Sequence, residues 1–165
     1  ELVATWGNLV NRVVSMTHRY FDGVVPEPGP MSVADDELLA EADATLAEVG
    51  SLIEAVRLRA GLQRAMAGAQ AVNVYLNEME PWKTAKTDEV RTGTTLSVAL
   101  SAISGLAAAL APYLPFTSRK VLEGLGIDVP EAGPRWGRGV IEAGALIAEP
   151  EPLFTRVESL ENGDG

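Results

Sequence analysis

The 165-residue chain contains no cysteine and one histidine, His18. Without cysteine there is neither a disulfide framework nor a thiolate zinc site, and a lone imidazole cannot anchor a histidine metal cluster. The sequence has no glycine-rich phosphate loop, no nucleophile elbow and no zinc-binding helix motif, so no catalytic residue is assigned. Glu78 and Glu80 are no catalytic pair either, because residues two apart on a helix point in different directions. Basic residues are also scarce. Thirteen Lys and Arg stand against 23 Asp and Glu, for a net charge of −10. Phosphate binding draws its energy largely from Lys and Arg with counterion release, so this balance excludes a general nucleic-acid coat. Aromatics make up only 5%. The core must therefore be built mainly of Leu, Val and Ala, in what reads as one cytoplasmic, metal-free domain.

The start of the chain, Glu1-Leu2-Val3-Ala4-Thr5-Trp6, has no basic leader region, cleavage site or initiator Met, and it enters a helical pattern at once. It reads as a segment cut from a longer protein. Residues 92–118 carry no charge, a run long enough in principle to cross a bilayer. Serines, threonines, two glycines, many alanines, Pro112 and Pro115 interrupt it. The expectation is the central helix of a soluble bundle with no membrane partner.

What is present is helical periodicity. Over residues 2–21, Trp6, Leu9, Val10, Val13, Val14, Thr17, Tyr20 and Phe21 share one face at 100° per residue, and Asn8, Asn11, Arg12 and Ser15 project opposite. Asn8 and Arg12 thus point the same way, one turn apart. After a loop at Pro26-Glu27-Pro28-Gly29-Pro30, the acids Asp35, Asp36 and Glu37 favour a helix start. Leu38, Leu39, Ala42, Leu46, Val49, Leu52, Ile53 and Val56 then mark its apolar stripe, and the acids between read as a solvated face. A third helix is predicted from Arg57 or Arg59 to Glu80, with Leu62, Met66, Ala69, Val72, Leu76 and Met79 inward and Asn73 at the border.

Proline ends that pattern at Glu80-Pro81-Trp82-Lys83, so Trp82 cannot lie on the preceding stripe and its indole is a candidate stacking surface. A polar hinge with Lys83, Lys86 and Arg91 follows. The uncharged fourth helix then runs to about Ala111-Pro112, and a fifth, short one from Pro115 to Gly124 or Gly126. From residue 127 prolines and glycines prevent regular structure, although residues 153–157 have the composition of an extended tail. The organisation expected is one domain, 1–165, with a bundle over 1–126 and a loop-rich tail over 127–165 packing back on it. Charge is segregated: residues 35–56 carry −7 and residues 123–165 carry −6, while 57–91 and 92–122 each carry +2. RNA contact near Trp82 should therefore be local and base-directed.

These motifs carry a resemblance. Gly7-Asn8-Leu9-Val10-Asn11-Arg12 leading to Tyr20-Phe21-Asp22-Gly23 resembles the first helix of the anticodon-binding domain of class I aminoacyl-tRNA synthetases. Asn73-x-Tyr75 through Pro81-Trp82-Lys83 resembles the methionyl-tRNA synthetase version. Leu110-Ala111-Pro112-Tyr113-Leu114-Pro115-Phe116-Thr117, Leu125-Gly126 and Pro152-Leu153-Phe154-Thr155-Arg156-Val157-Glu158 are similar in order and spacing. Thr155 stands where that family often has proline.

The resemblance implies an all-α, five-helix anticodon-binding bundle with an extended, irregular C-terminal tail, from the C-terminal part of a methionine–tRNA ligase. It implies an anticodon-binding set of Asn8, Arg12, Pro81 and Trp82, in which Trp82 stacks on the first base of a CAU anticodon while Asn8 and Arg12 hydrogen-bond to anticodon bases. The partners implied are the tRNA(Met) anticodon loop and the parent's own catalytic domain. ATP with Mg would serve that catalytic domain, which is absent from this chain together with the family's zinc-binding insertion. Two other readings stay open: the equivalent bundle of a leucine, isoleucine or valine synthetase, and a helical protein-interaction module anchored by Trp82.

Overall fold

The computed structural model describes residues 2–150; the expected tail strand at 153–157 lies outside the described residues. Helix α1, Leu2–Phe21, buries Trp6, Leu9, Val10, Val13, Val14 and Thr17, which is the predicted face. It ends in left-handed backbone at Asp22 and Gly23, with φ of 54° and 77°. At Gly23 a Cβ would sit 2.5 Å from His18 Cε1, so the turn requires glycine on both counts.

Helix α2, Val33–Glu54, begins before the acidic run. Ser32 is the N-cap: its side chain accepts from the Asp35 backbone N–H, and the Asp35 side chain accepts from the Ser32 N–H, a reciprocal capping box. Val56, placed by periodicity on the α2 stripe, falls beyond the helix end in left-handed backbone and is 78% exposed. The stripe stops at Ile53 because the chain must turn into the next helix.

Helix α3, Leu58–Met79, buries Ala65, Ala69, Val72 and Leu76, but also Gly61, Gly68 and Tyr75. Leu62, Met66 and Met79, predicted inward, are half-buried at the rim. Small residues hold the centre of this contact: a Cβ on Gly68 would lie 2.6 Å from Leu106 Cδ2 and 2.7 Å from Thr45 Oγ1. The longer side chains are displaced to the edges.

The expected hinge contains a four-residue helical turn, α4, Pro81–Thr84. Helix α5, Glu89–Leu110, carries the uncharged run beyond its first turn; its most apolar window is 89% buried inside the protein. Helices α1, α2, α3, α4 and α6, Pro115–Gly124, all pack against it. Its buried Thr92, Thr94 and Thr95 hydroxyls donate to the helix's own carbonyls four residues back, so they are satisfied without water.

Residues 127–150 are irregular and lie on the bundle. Trp136 Nε1 donates to the Leu46 carbonyl at 2.9 Å, Arg138 grips both Asp43 oxygens at 2.8 and 3.2 Å, and the Gly139 N–H donates to Ser104 Oγ. Ile147 is buried, and beside it Val24 and Leu146 form an isolated antiparallel bridge.

Leu106, fully buried on α5 against Gly68, tests this packing. Leu106→Ala should lower the unfolding free energy in a urea titration by about 2–5 kcal/mol. Val140→Ala, at a position 84% exposed, should change it by less than about 0.5 kcal/mol.

Candidate nucleic-acid interface

Two backbone events set the position of Trp82. The N–H of Glu80 donates to the Leu76 carbonyl and closes α3 with Glu80 in left-handed backbone, φ 48°. Pro81 then opens α4 at its first position, where the missing N–H costs nothing. The reversal takes Trp82 off the α3 stripe. A Thr84–Thr92 hydroxyl pair at 2.6 Å ties α4 to α5. Pro81 is buried, and Trp82 is half-buried and packed against the core.

Helix α1 supplies the neighbour. The Arg12 guanidinium carbon lies over the Trp82 ring, 5.2 Å from its centroid, and Arg12 Nη2 donates to Asn77 Oδ1 at 3.2 Å. The cation–π contact holds both flat groups in one orientation, and such a pair is worth about 0.5–1 kcal/mol at an exposed site. Asn8 is exposed one turn earlier on α1. The structure therefore brings Arg12 and Trp82 together, with Asn8 beside Arg12 along the helix and Pro81 beneath as the mount. Lys83 pairs with Glu80 at 3.2 Å, an exposed contact of little energetic weight, and Lys86 is exposed. Asn73 is half-buried on α3.

Three residues near this face were misread or passed over in the sequence. Asp35, read only as one of the acids that start α2, takes part in the capping box there and is also fully buried. Its Oδ1 accepts from the Tyr75 hydroxyl of α3 at 2.5 Å and from Arg91 Nη2 of α5 at 2.7 Å, and its Oδ2 from the Ser32 N–H at 2.8 Å. Arg91, read as part of the hinge, sits in the first turn of α5, where Asp88 Oδ1 accepts from its backbone N–H. Asn77 carried no signal beyond its polarity. The capping-box spacing Ser32-x-x-Asp35 could have located the α2 start, but no local pattern reports that a side chain will meet partners 40 and 56 residues away.

Burial, the largest influence, pushes the Asp35 carboxyl up; the hydrogen bonds from Arg91, Tyr75 and Ser32, with the Arg91 charge, outweigh it and hold the group below the ordinary carboxylate value. Tyr75 is pushed up by burial first and then by its bond to the Asp35 carboxylate, so its hydroxyl stays protonated and donating. Among the described residues no group of three or more His, Cys, Asp or Glu could hold a metal ion.

Residues 25–164 match the family model described as the anticodon binding domain of methionyl tRNA ligase. The chain is 41% identical over 184 residues to the methionine–tRNA ligase of Roseiflexus sp. (strain RS-1), covering 96% of the chain and 31% of that protein. It is 41% identical over 157 residues to the methionine–tRNA ligase of Pyrococcus abyssi, covering 95% of the chain and 21% of that protein. The fold superposes on Mycobacterium tuberculosis methionyl-tRNA synthetase in complex with methionyl-adenylate with a TM-score of 0.86 and 30% identity, over 94% of the chain and 31% of that structure. The chain thus spans about a third of these relatives or less. The match separates the methionine branch from the leucine, isoleucine and valine readings and from the protein-interaction module.

Asp35 gives the packing of α2, α3 and α5 an acid-sensitive support. A carboxyl whose folded value is depressed contributes stability above its unfolded value, about 3.9, and loses it as pH falls through the lower folded value. Unfolding free energies measured from pH 7 to pH 2 should therefore fall below about pH 4, and Asp35→Asn should flatten that fall. At pH 7, Asp35→Ala should cost about 3 kcal/mol, the lower end for a broken buried pair, because Arg91 keeps 20% of its side chain in solvent.

Proposed function

Since the chain belongs to the family of anticodon binding domains of methionyl tRNA ligases, we propose that it reads the CAU anticodon of methionine tRNA on the face formed by Asn8, Arg12 and Trp82. The observation that carries this reading is the meeting of an arginine from α1 with a half-buried indole at the α3–α5 corner. Stacking on an indole accepts any base and supplies affinity, about 1–3 kcal/mol per base. Discrimination requires edge contacts, which an amide and a guanidinium are shaped to make. Asn8 and Arg12 supply those groups within one helical turn. Pro81, being buried, aims the indole rather than touching the base.

The parent is a methionine–tRNA ligase in this reading. Its catalytic domain, outside this chain, forms methionyl adenylate from methionine and ATP with Mg and transfers methionine to the tRNA, a step of translation in the cytoplasm. The anticodon loop and that catalytic domain are the two partners of the bundle. Binding energy realised at the anticodon raises the share of correctly chosen tRNA and, through positioning, the rate of transfer at the distant acceptor end. The net charge of −10 suits this division, since a surface that repels phosphate generally keeps contact only where base chemistry rewards it.

The direct test is titration of a CAU anticodon stem-loop, and of the same hairpin with its first anticodon base changed, at one stated salt concentration. Wild type should prefer CAU, and Trp82→Ala should weaken CAU binding roughly 5- to 150-fold, the equivalent of about 1–3 kcal/mol. Asn8→Ala and Arg12→Ala should bring the two hairpins closer in affinity. Binding that ignores both the anticodon base and Trp82 would defeat the proposal.

A further inference from the structure

The segment from Tyr75 to Arg91 contains Asn77, the left-handed Glu80, the buried Pro81 and Trp82, and both its ends terminate on the same carboxylate oxygen. Asp35 Oδ1 accepts from the Tyr75 hydroxyl at 2.5 Å on one side and from Arg91 Nη2 at 2.7 Å on the other. The carboxylate is itself fixed at the first turn of α2, because its Oδ2 accepts from the Ser32 N–H at 2.8 Å. Arg91 is further braced by Thr95 Oγ1, at 3.3 Å from Nε and 3.2 Å from Nη2. Nothing in the anticodon reading uses this buried charge. Within the segment, Asn77 holds Arg12 and Arg12 lies over Trp82. The buried carboxylate is thus linked to the indole through the α3 backbone, which carries Tyr75 inward and Asn77 toward Arg12.

We propose that Asp35, Tyr75 and Arg91 are positioning residues that set the Trp82 ring in register with Asn8 and Arg12, and so determine the part of CAU affinity that discriminates between bases. The inference rests on the anticodon-reading proposal. Stacking tolerates a shift of the ring in its plane, whereas hydrogen bonds to a base edge require placement within about 0.5 Å. Loosening either end of the 75–91 segment moves the indole and the Asn77 brace relative to α1. The base is still stacked but no longer offered squarely to the amide and guanidinium. Loss of the buried network would otherwise show only as lower stability, which reduces the folded fraction for every RNA alike and leaves the ratio of two affinities unchanged.

That ratio is the test. The affinities of the CAU hairpin and its first-base variant are measured well below the unfolding temperature for wild type, Tyr75→Phe, Trp82→Ala and the double variant, with circular dichroism reporting the folded fraction. Tyr75→Phe removes one hydroxyl and keeps the buried ring. It should lower the CAU preference at least threefold while the variant hairpin binds nearly as before, and the effect should disappear in the Trp82→Ala background. Should Tyr75→Phe fail to fold, Arg91→Lys, which keeps the charge but loses the planar fork, is read the same way. An unchanged ratio, with Trp82→Ala still weakening CAU binding, overturns the positioning role and leaves the anticodon reading intact. Trp82→Ala without effect overturns the anticodon reading and the positioning role with it.

Discussion

Everything in this fold follows from the need to cover α5 on all sides. A 22-residue helix whose side chains are almost all apolar or small cannot present a polar face to water, so it is stable only when neighbours surround it. Five other helical elements do so, and the irregular segment at 136–139 closes a remaining gap between α2 and α5 through Trp136, Arg138 and Gly139. The surrounding helices then have one apolar face each, directed at α5, and their outer faces are free for other work. The polar stripe of α1 carrying Asn8 and Arg12 is one such outer face.

Helices with a single clean stripe were legible in the sequence for this reason. The bounds of α1 and its buried face follow directly from the spacing of Trp6, Leu9, Val13 and Thr17, because one wet side and one dry side leave an unambiguous period. Periodicity failed where small residues carry the packing. Gly61, Gly68 and Ala65 bring α3 close to its neighbours, and hydrophobic scoring gives weight to Leu62 and Met66 instead, which the close approach leaves at the rim. It failed again at Val56, since an apolar residue beyond a helix end prolongs the pattern without prolonging the helix.

The proposed interface was legible in its parts and not in the buried network behind it. Trp82 after a proline and Asn8–Arg12 at one-turn spacing are local signals, readable in a few residues. Asp35, Tyr75 and Arg91 come from three helices and acquire meaning only when those helices pack. A buried carboxylate looks identical in sequence to Asp36 and Glu37 beside it, which are exposed. Its burial is tolerable because the network is complete: each oxygen has donors, one of them cationic.

The left-handed turn at Glu80 carries a constraint on sequence drift. A non-glycine residue in this region stores roughly 1–2 kcal/mol of backbone strain, and here two helices meeting at Pro81 impose it. Charge at this position is nearly free to change, because the Lys83 pair is exposed. Branching at Cβ is not, since it would deepen the strain where the indole is aimed. Glycine would relieve the strain but add freedom to the unfolded chain. Over evolutionary time the corner below Trp82 should therefore wander among unbranched polar side chains, conserved in backbone shape while its residue identity turns over.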